Sequence, residues 1–182
     1  MFKKLVCVII CAAMLCSLTG CAFLRRKKEI DPKRSPYRYV EYMIRDMQDY
    51  LKEGDAESLS VMFGDYLKVT ADDVQKLLAF IDGEIVSIDR ASIEPGGGKK
   101  REVYIEYAYG GEFNISTSSE KEYVCYFTGY AVYDEKPEKI GLENFSVVNL
   151  ADEKDRYGVG YSFNEKGQQL DLNGKVIEKY LK

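Results

Sequence analysis

The sequence predicts an α+β domain, with three N-terminal helices packed on one face of an antiparallel sheet. Two observations carry this prediction. Apolar residues recur at three- and four-residue spacing as far as residue 82, which is the period of a helix. From residue 84 the spacing falls to two, which is the period of a strand. Helices followed by successive strands are typical of an α+β fold with the helices on one sheet face.

Residues 1–20 have the features of a secretory signal. Lys3 and Lys4 precede a 14-residue, mainly apolar stretch, Leu5–Leu18. A helix that crosses a bilayer needs about 20 apolar residues, so this stretch fits the hydrophobic region of a signal peptide instead. The 162 residues that follow suit a single domain with its own hydrophobic core.

The signal ends in Leu18-Thr19-Gly20-Cys21, which matches the lipobox of bacterial lipoproteins. In that motif Leu18, Thr19 and Gly20 are recognised by the signal peptidase, and the Cys21 thiol takes a diacylglycerol group. Further acylation, palmitate for instance, would leave the chain held almost permanently on the membrane. An uncleaved helix that ends in Gly-Cys by chance is the alternative. The motif predicts a bacterial lipoprotein on the outer side of the cell membrane.

Residues 21–36 form a basic linker between the anchor and the domain. Residues 22–38 carry seven basic and two acidic side chains, a net charge of +5, whereas residues 39–182 carry a net charge of −11. The basic segment would meet anionic headgroups beside the anchor, with a plain spacer as the alternative. The acidic domain disfavours nucleic acid as a partner.

Three helices are predicted after the linker. The first follows Ser35-Pro36, carries an apolar stripe from Val40 to Leu51, and ends at Gly54. A short second helix runs from Ala56 to Phe63 and ends at Gly64. The third is capped by Thr70 with Asp73 at the third position, and its stripe is Val74, Leu77, Leu78 and Ile81.

The strands are predicted at 84–93, 99–117, 120–133 and 139–150. Residues 94–98, Glu-Pro-Gly-Gly-Gly, have the composition of a hairpin loop. Gly110-Gly111 indicates a bulge or bend within the second strand. Residues 151–182 are predicted to pack on the domain as a short hairpin over 161–172 and a helical turn over 176–181.

The order of elements after a lipobox resembles a family of small bacterial lipoproteins of unknown function with a nuclear-transport-factor-2-like (cystatin-like) cone. The residues that carry the resemblance are Tyr39–Leu51, Ala56–Phe63, Glu84–Ile88 and Lys139-Ile140-Gly141-Leu142. The resemblance covers residues 37–150 and implies that the sheet is curved around the helices. It implies no established activity, catalytic residue or cofactor.

Composition excludes several classes of site. The chain has no His, which removes Ser–His–Asp and Cys–His catalysis and nearly all zinc sites, and no metal or cofactor is predicted. Gly96-Gly97-Gly98-Lys99-Lys100 is not a phosphate loop, because Lys100 stands where Ser or Thr is required. An alternative function, a hydrolase or isomerase of the SnoaL-like type, would use pocket carboxylates. Its candidates are Asp89, Arg90, Glu106 and Glu112, but no catalytic residue is assigned.

The predicted function is therefore a binding module for a protein partner, a second copy of the chain, or a small hydrophobic ligand between helices and sheet. Alternation along 120–133 directs Cys125 and Phe127 inward, so Cys125 is predicted to be buried and unpaired. The outer face is the candidate interface, because Tyr is favoured where proteins meet. Tyr104 on the preceding strand extends this interface if the register allows. Its predicted members are Val124, Tyr126, Thr128, Tyr130 and Val132.

Overall fold

Helices precede strands in the part of the chain that the structure describes. The computed structural model describes residues 30–160 and the backbone of residues 162–163 and 169–170. The signal segment, Leu18-Thr19-Gly20-Cys21 and the predicted turn over 176–181 lie outside the described residues. The helices are α1 (Pro36–Glu53), α2 (Ala56–Ser60) and α3 (Ala71–Phe80). The strands are β1 (Ile85–Ile88), β2 (Ser92–Lys100), β3 (Val103–Thr117), β4 (Glu122–Tyr133), β5 (Gly141–Asn149), β6 (Asp152–Gly160), β7 (Ser162–Phe163) and β8 (Gln169–Leu170).

Helices α1 and α3 form as their capping residues and apolar stripes predict. Pro36 occupies the first turn of α1, and Gly54 ends the helix in the left-handed conformation, at φ 68°. The Thr70 hydroxyl and the Asp73 carboxylate form the predicted capping box at the start of α3. The apolar stripes of both helices face the core.

Helix α2 ends at Ser60, earlier than predicted, because the chain turns to meet the sheet. Asp55 caps the helix by accepting a hydrogen bond from the Ser58 amide at 3.0 Å. Met62 and Phe63 are buried, but Phe63 forms a parallel bridge with Leu142 instead of a further helical turn. The Leu142 amide donates to the Met62 carbonyl at 2.8 Å, and the Gly64 amide donates to the Leu142 carbonyl at 3.0 Å. A 3₁₀ turn, Asp65–Leu67, follows.

The main sheet has six antiparallel strands, which confirms the α+β prediction at the level of a mixed fold. Its order is β1-β3-β4-β5-β6, and β2 also pairs with β3. Strand β1 pairs with residues 115–117 and β2 with residues 103–112, so the two lie end to end along one edge of β3. Strands β7 and β8 pair as the predicted short hairpin, with Ser162 opposite Leu170.

Two glycine segments differ from the prediction. Residues 94–98 lie within β2, and the turn falls at Arg101-Glu102, where Arg101 has a φ of 60°. Gly97 is needed for close approach, because a Cβ there would lie 3.0 Å from the Tyr107 Cα. Gly110 and Gly111 pair in regular register with β2 and β4. The β4 bulge is instead at Ala131, which no β3 residue opposes.

Strand β6 extends the sheet beyond residue 150, where the predicted strands end. Residues 152–156 are charged and exposed, so their sequence gives little alternation. Only the end of the strand reaches the core, where Val159 is buried and the Tyr157 ring stacks on Phe80 at 6.2 Å. The strand is held by its pairing with β5, to which a two-residue turn at Leu150-Ala151 joins it as a hairpin.

The core fills the space between the helices and one face of the sheet. Its largest fully buried side chains include Tyr123, Phe127, Phe145, Ile44, Met47 and Leu59. Tyr109 and Phe113 lie among them, and the Tyr109 hydroxyl donates to the Met43 sulfur at 3.5 Å. Burial raises the pKa of Tyr109 well above its ordinary value. Aromatic side chains therefore make up much of the core between the helices and the sheet.

Candidate functional site

The opposite face of the sheet carries exposed tyrosine among small side chains. We call it the outer sheet face. Tyr126 lies between Glu112 of β3 and Ser146 of β5, and 42% of it is exposed. Thr128 lies between Gly110 and Asn144 and is also exposed. The members are Ala108, Gly110, Glu112, Asn114, Val124, Tyr126, Thr128, Tyr130, Asn144, Ser146, Val148, Arg156 and Gly158.

The predicted interface residues divide into three groups. Tyr126 and Thr128 are exposed, and Tyr130 is half-buried. Burial, followed by the nearby Glu143 carboxylate, raises the pKa of Tyr130. Val124 is on the outer sheet face but only 7% exposed. Tyr126, Thr128 and part of Tyr130 are thus accessible to a partner.

The prediction for Val132 is wrong, because the bulge at Ala131 reverses the alternation. Tyr107 pairs with Val132 and Ala108 pairs with Tyr130, so one β4 residue is extra. After this bulge Val132 faces inward, where it is part of the hydrophobic core. Tyr133 instead shares a side with Tyr130, and their ring centroids are 4.7 Å apart.

Tyr104 does not extend the outer sheet face. Its ring packs edge-to-face on the buried ring of Tyr107, with centroids 5.1 Å apart. The Lys99 ammonium lies 4.4 Å from the Tyr104 centroid, on its exposed side. The register that would place Tyr104 beside Tyr130 is therefore not the one observed.

A partly buried polar cluster lies where β5 begins, and the sequence analysis did not identify it. The Tyr66 hydroxyl donates to the Glu143 carboxylate at 2.6 Å, and the Lys139 ammonium lies 3.6 Å from the same oxygen. The Lys139 and Glu143 side chains are 12% and 19% exposed. Glu143 is the extra residue of a β5 bulge, because Gly129 pairs with Leu142 and Thr128 with Asn144. The one sequence feature that marks this site is Gly141, just before the bulge. Its φ of 127° sets the direction of the chain there and favours glycine.

The four residues considered for catalysis are all exposed, and Glu106 lies six residues along β3 from Glu112. Asp89 follows β1, where the Asn114 side-chain amide donates to its carboxylate at 3.4 Å. Arg90 lies in the link to β2. Glu112 is on the outer sheet face, whereas Glu106 lies opposite Tyr133 near the end of β4. No Asp or Glu within residues 30–160 is fully buried, and the only buried polar residue there is Thr117.

A separate open cleft of about 400 Å³ lies between the C-terminal ends of α1 and α3 and the start of β1. Leu51, Leu78, Ile81 and Ile85 give it an apolar floor, and Glu53 and Glu84 lie at its rim. The cleft lies between the helices and the sheet, and its floor is aliphatic rather than aromatic.

Cys125 is fully buried beside Phe127, as predicted, and is a free cysteine. Burial raises the pKa of its thiol. Across residues 30–160, Cys, Asp and Glu side chains do not gather into a group of three that could hold a metal ion. In the same part of the chain, every helix is too short or too polar to cross a membrane.

Comparison with known proteins assigns a family. Residues 46–156 match the family described as Domain of unknown function (DUF5104). The match begins within α1 and ends within β6, so it includes the Tyr66–Lys139–Glu143 cluster and all of the outer sheet face except Gly158. No curated protein matches the chain. Because the matched residues make up more than half of the chain, the protein belongs to the DUF5104 family.

Proposed function

We propose that the chain is a bacterial lipoprotein, cleaved after Gly20 and held by lipid on Cys21, whose domain faces outward from the cell membrane. What supports the proposal is the order of signal features. Two lysines, a short apolar segment and Leu18-Thr19-Gly20-Cys21 follow one another at the spacing of a lipoprotein signal.

Substitution of the lipidated cysteine tests the anchor. Cys21→Ser should leave an unprocessed precursor or release the protein from the membrane fraction, as followed by fractionation and by the mass of the N-terminal peptide. Cys16→Ser is the matched control, because it changes a cysteine of the same segment outside the lipobox. A Cys21→Ser chain that is cleaved after residue 20 and stays in the membrane fraction would disprove lipidation.

The domain itself, in this proposal, is a nuclear-transport-factor-2-like cone with its three helices inside the curve of the sheet. Bulges at Ala131 and Glu143 support a bend in the neighbouring strands β4 and β5. The parallel bridge between Phe63 and Leu142 draws the helical segment against β5. An experimental structure that showed a flat sheet would contradict the cone.

The domain is a protein-binding module, and the outer sheet face is its docking surface. The observation that carries this is the position of Tyr126, which is exposed between Glu112 and Ser146 on the outer sheet face. Tyrosine covers area with few torsions to freeze and keeps a hydroxyl for hydrogen bonds. The small Ser146 lets a partner reach one side of the Tyr126 ring, and the Glu112 carboxylate on the other side can accept hydrogen bonds. The proposed partner is a second copy of the chain or another protein.

A double substitution tests the docking surface. If the partner is a second copy, Tyr126→Ser with Tyr130→Ser should reduce self-association, as measured by sedimentation velocity. If it is another protein, the same double variant should reduce cross-linking to it from a photoreactive residue at position 128. Tyr37→Ser is the matched control, since Tyr37 is 44% exposed and lies on α1. If association and cross-linking are unchanged while circular dichroism shows an intact fold, the outer sheet face is not the docking surface.

A further inference from the structure

The chain enters the fold at the end of the sheet that holds the β2–β3 turn. The Tyr104 amide donates to the Lys33 carbonyl at 3.0 Å, and the Lys33 ammonium lies 2.7 Å from the Asp134 carboxylate. Tyr104 is near the start of β3, and Asp134 follows β4. The segment that leads to Cys21 therefore leaves from this end, which we call the linker end.

The β2–β3 turn adds a basic tip to the linker end. Lys99, Lys100 and Arg101 are consecutive and exposed, with Glu102 as their acidic neighbour. The left-handed conformation of Arg101 closes the turn. The Lys99 ammonium is held over the Tyr104 ring, so its charge is fixed to the sheet.

Apolar side chains lie directly beside these cations. Lys100, Arg101, Val103 and Ile105 line an open hollow of about 300 Å³, and Ile105 is 38% exposed. Cations beside exposed aliphatic groups suit the boundary between lipid headgroups and acyl chains, where phosphates and methylenes lie next to each other.

Charges elsewhere at the linker end are largely balanced. Asp31 pairs with Arg34, and Asp134 pairs with Lys33. Glu135 and Glu138 lie in the β4–β5 connection with Lys136 and Lys139. Among residues 30–160, the β2–β3 turn is therefore the part of this end with a clear excess of positive charge.

The opposite end of the sheet is acidic. Its connections carry Glu53, Asp55, Asp82, Glu84, Glu120, Asp152 and Glu153 against Lys52, Lys121 and Lys154. An anionic surface would attract the tip of the β2–β3 turn and repel this end.

The linker is long enough for the tip to reach the membrane but does not by itself hold it there. Twelve residue steps separate Cys21 from Lys33, and at full extension they span about 40 Å. We propose that Lys99, Lys100 and Arg101 dock on the anionic headgroups of the membrane that holds Cys21. The domain then stands on its linker end with its strands along the membrane normal. This inference rests on the proposed lipid anchor.

The test measures which end of the domain lies near the headgroups. The full chain, purified from bacterial membranes in detergent, is reconstituted into vesicles of phosphatidylcholine with or without phosphatidylglycerol. A fluorophore is placed at Glu102→Cys or, as the matched control at the other end, at Glu153→Cys, and peptide mass spectrometry verifies its position. Lipids with a nitroxide headgroup quench fluorophores that lie close to the surface.

We expect quenching at position 102 to exceed that at 153 in vesicles with phosphatidylglycerol, and to fall to the level of 153 in phosphatidylcholine alone. Each basic residue at an anionic surface strengthens association about fivefold. Lys99→Gln, Lys100→Gln and Arg101→Gln together should therefore abolish the difference without changing the circular dichroism spectrum.

Equal quenching at the two positions, or a difference that persists in phosphatidylcholine or in the triple variant, would overturn the docking. Flotation of the chain with the vesicles distinguishes failure of the docking from failure of the lipid anchor. A chain that floats with both vesicles but shows equal quenching contradicts the docking alone. A chain that floats with neither contradicts both the anchor and the docking.

Discussion

Cys125 lies in the middle of β4, where the core encloses its side chain completely. Burial raises the pKa of the thiol, so the reactive thiolate is scarce at neutral and mildly alkaline pH. We predict that iodoacetamide modifies Cys125 in the native chain far more slowly than after denaturation in guanidinium chloride. Mass spectrometry of the Cys125 peptide measures this without interference from the other four cysteines.

The Glu102→Cys variant, before it is labelled, serves as the exposed control for this reaction. If Cys125 in the native chain reacts as fast as the thiol introduced at position 102, the strand interior opens easily and Cys125 is available for chemistry. A slow reaction that accelerates on unfolding is what a purely structural cysteine shows.

The Tyr66 hydroxyl contributes to stability through its hydrogen bond to Glu143. This hydroxyl donates to the partly buried carboxylate of Glu143, and a hydrogen bond to a charged group contributes about 1.5–3 kcal/mol. Tyr66→Phe removes that donor and keeps the ring, so we expect the free energy of unfolding to fall by about that amount. Urea denaturation measures it. Tyr126→Phe on the outer sheet face is the matched control, and an equal loss in the two variants would contradict the assigned role of Tyr66.

Single residues also show the limit of prediction from sequence. Alternation placed Cys125 and Phe127 correctly, because β4 is regular over that stretch. It failed at Val132, because one unpaired residue at Ala131 moves every later side chain to the other face. Ala131 itself gives no local indication of a bulge. The Tyr66–Glu143 contact joins residues 77 positions apart, which is beyond the reach of periodicity.

Within strand β3, adjacent glycines have different requirements. A Cβ at Gly110 would make ordinary contacts, 3.5 Å from Thr128 and from the Phe127 carbonyl. A Cβ at Gly111 would overlap the Ser92 carbonyl oxygen and lie 2.7 Å from the Phe127 ring. We predict that Gly110→Ala changes the free energy of unfolding by less than about 1 kcal/mol. Gly111→Ala should lower it by about 1–3 kcal/mol, because the clashing oxygen belongs to the backbone of β2.

The comparison of these two variants by thermal denaturation tests the pairing of β2 with β3. If Gly111→Ala is as stable as Gly110→Ala, Ser92 does not lie against β3 as described.

The glycines of β2 also show the limit of prediction from local composition. Pro95-Gly96-Gly97-Gly98 has the composition of a loop, yet β3 draws it into the sheet as an edge strand.

At the scale of the whole molecule, β6 extends the main sheet beyond residue 150, where the predicted strands end. Val159 is 2% exposed and belongs to the core, whereas Arg156 on the same strand is exposed on the outer sheet face. Val159→Asp would bury a carboxylate without a partner, and we expect it to cost more than about 3 kcal/mol of the free energy of unfolding. Arg156→Asp should cost less than about 0.5 kcal/mol.

Urea denaturation of the two variants distinguishes a sheet strand from an appended tail. Equal stability in both would mean that β6 contributes nothing to the core.

The sequence predicted the helices, the outline of β3 to β5 and the mixed α+β class, because these follow from local periods and capping residues. It did not predict β6, because a charged edge strand is specified by its neighbour β5 rather than by its own pattern.

The bridge between Phe63 and Leu142 has a consequence for the order of folding. It joins positions 79 apart, and α3 and strands β1 to β4 lie between them in the chain. Forming it closes a long loop, which costs more entropy than a local turn and slows two-state folding. During synthesis the helices emerge first, and the Phe63 bridge cannot form until β5 has followed. Phe63 and Leu59 therefore spend that interval exposed to water, and this is the period in which the chain most needs a chaperone.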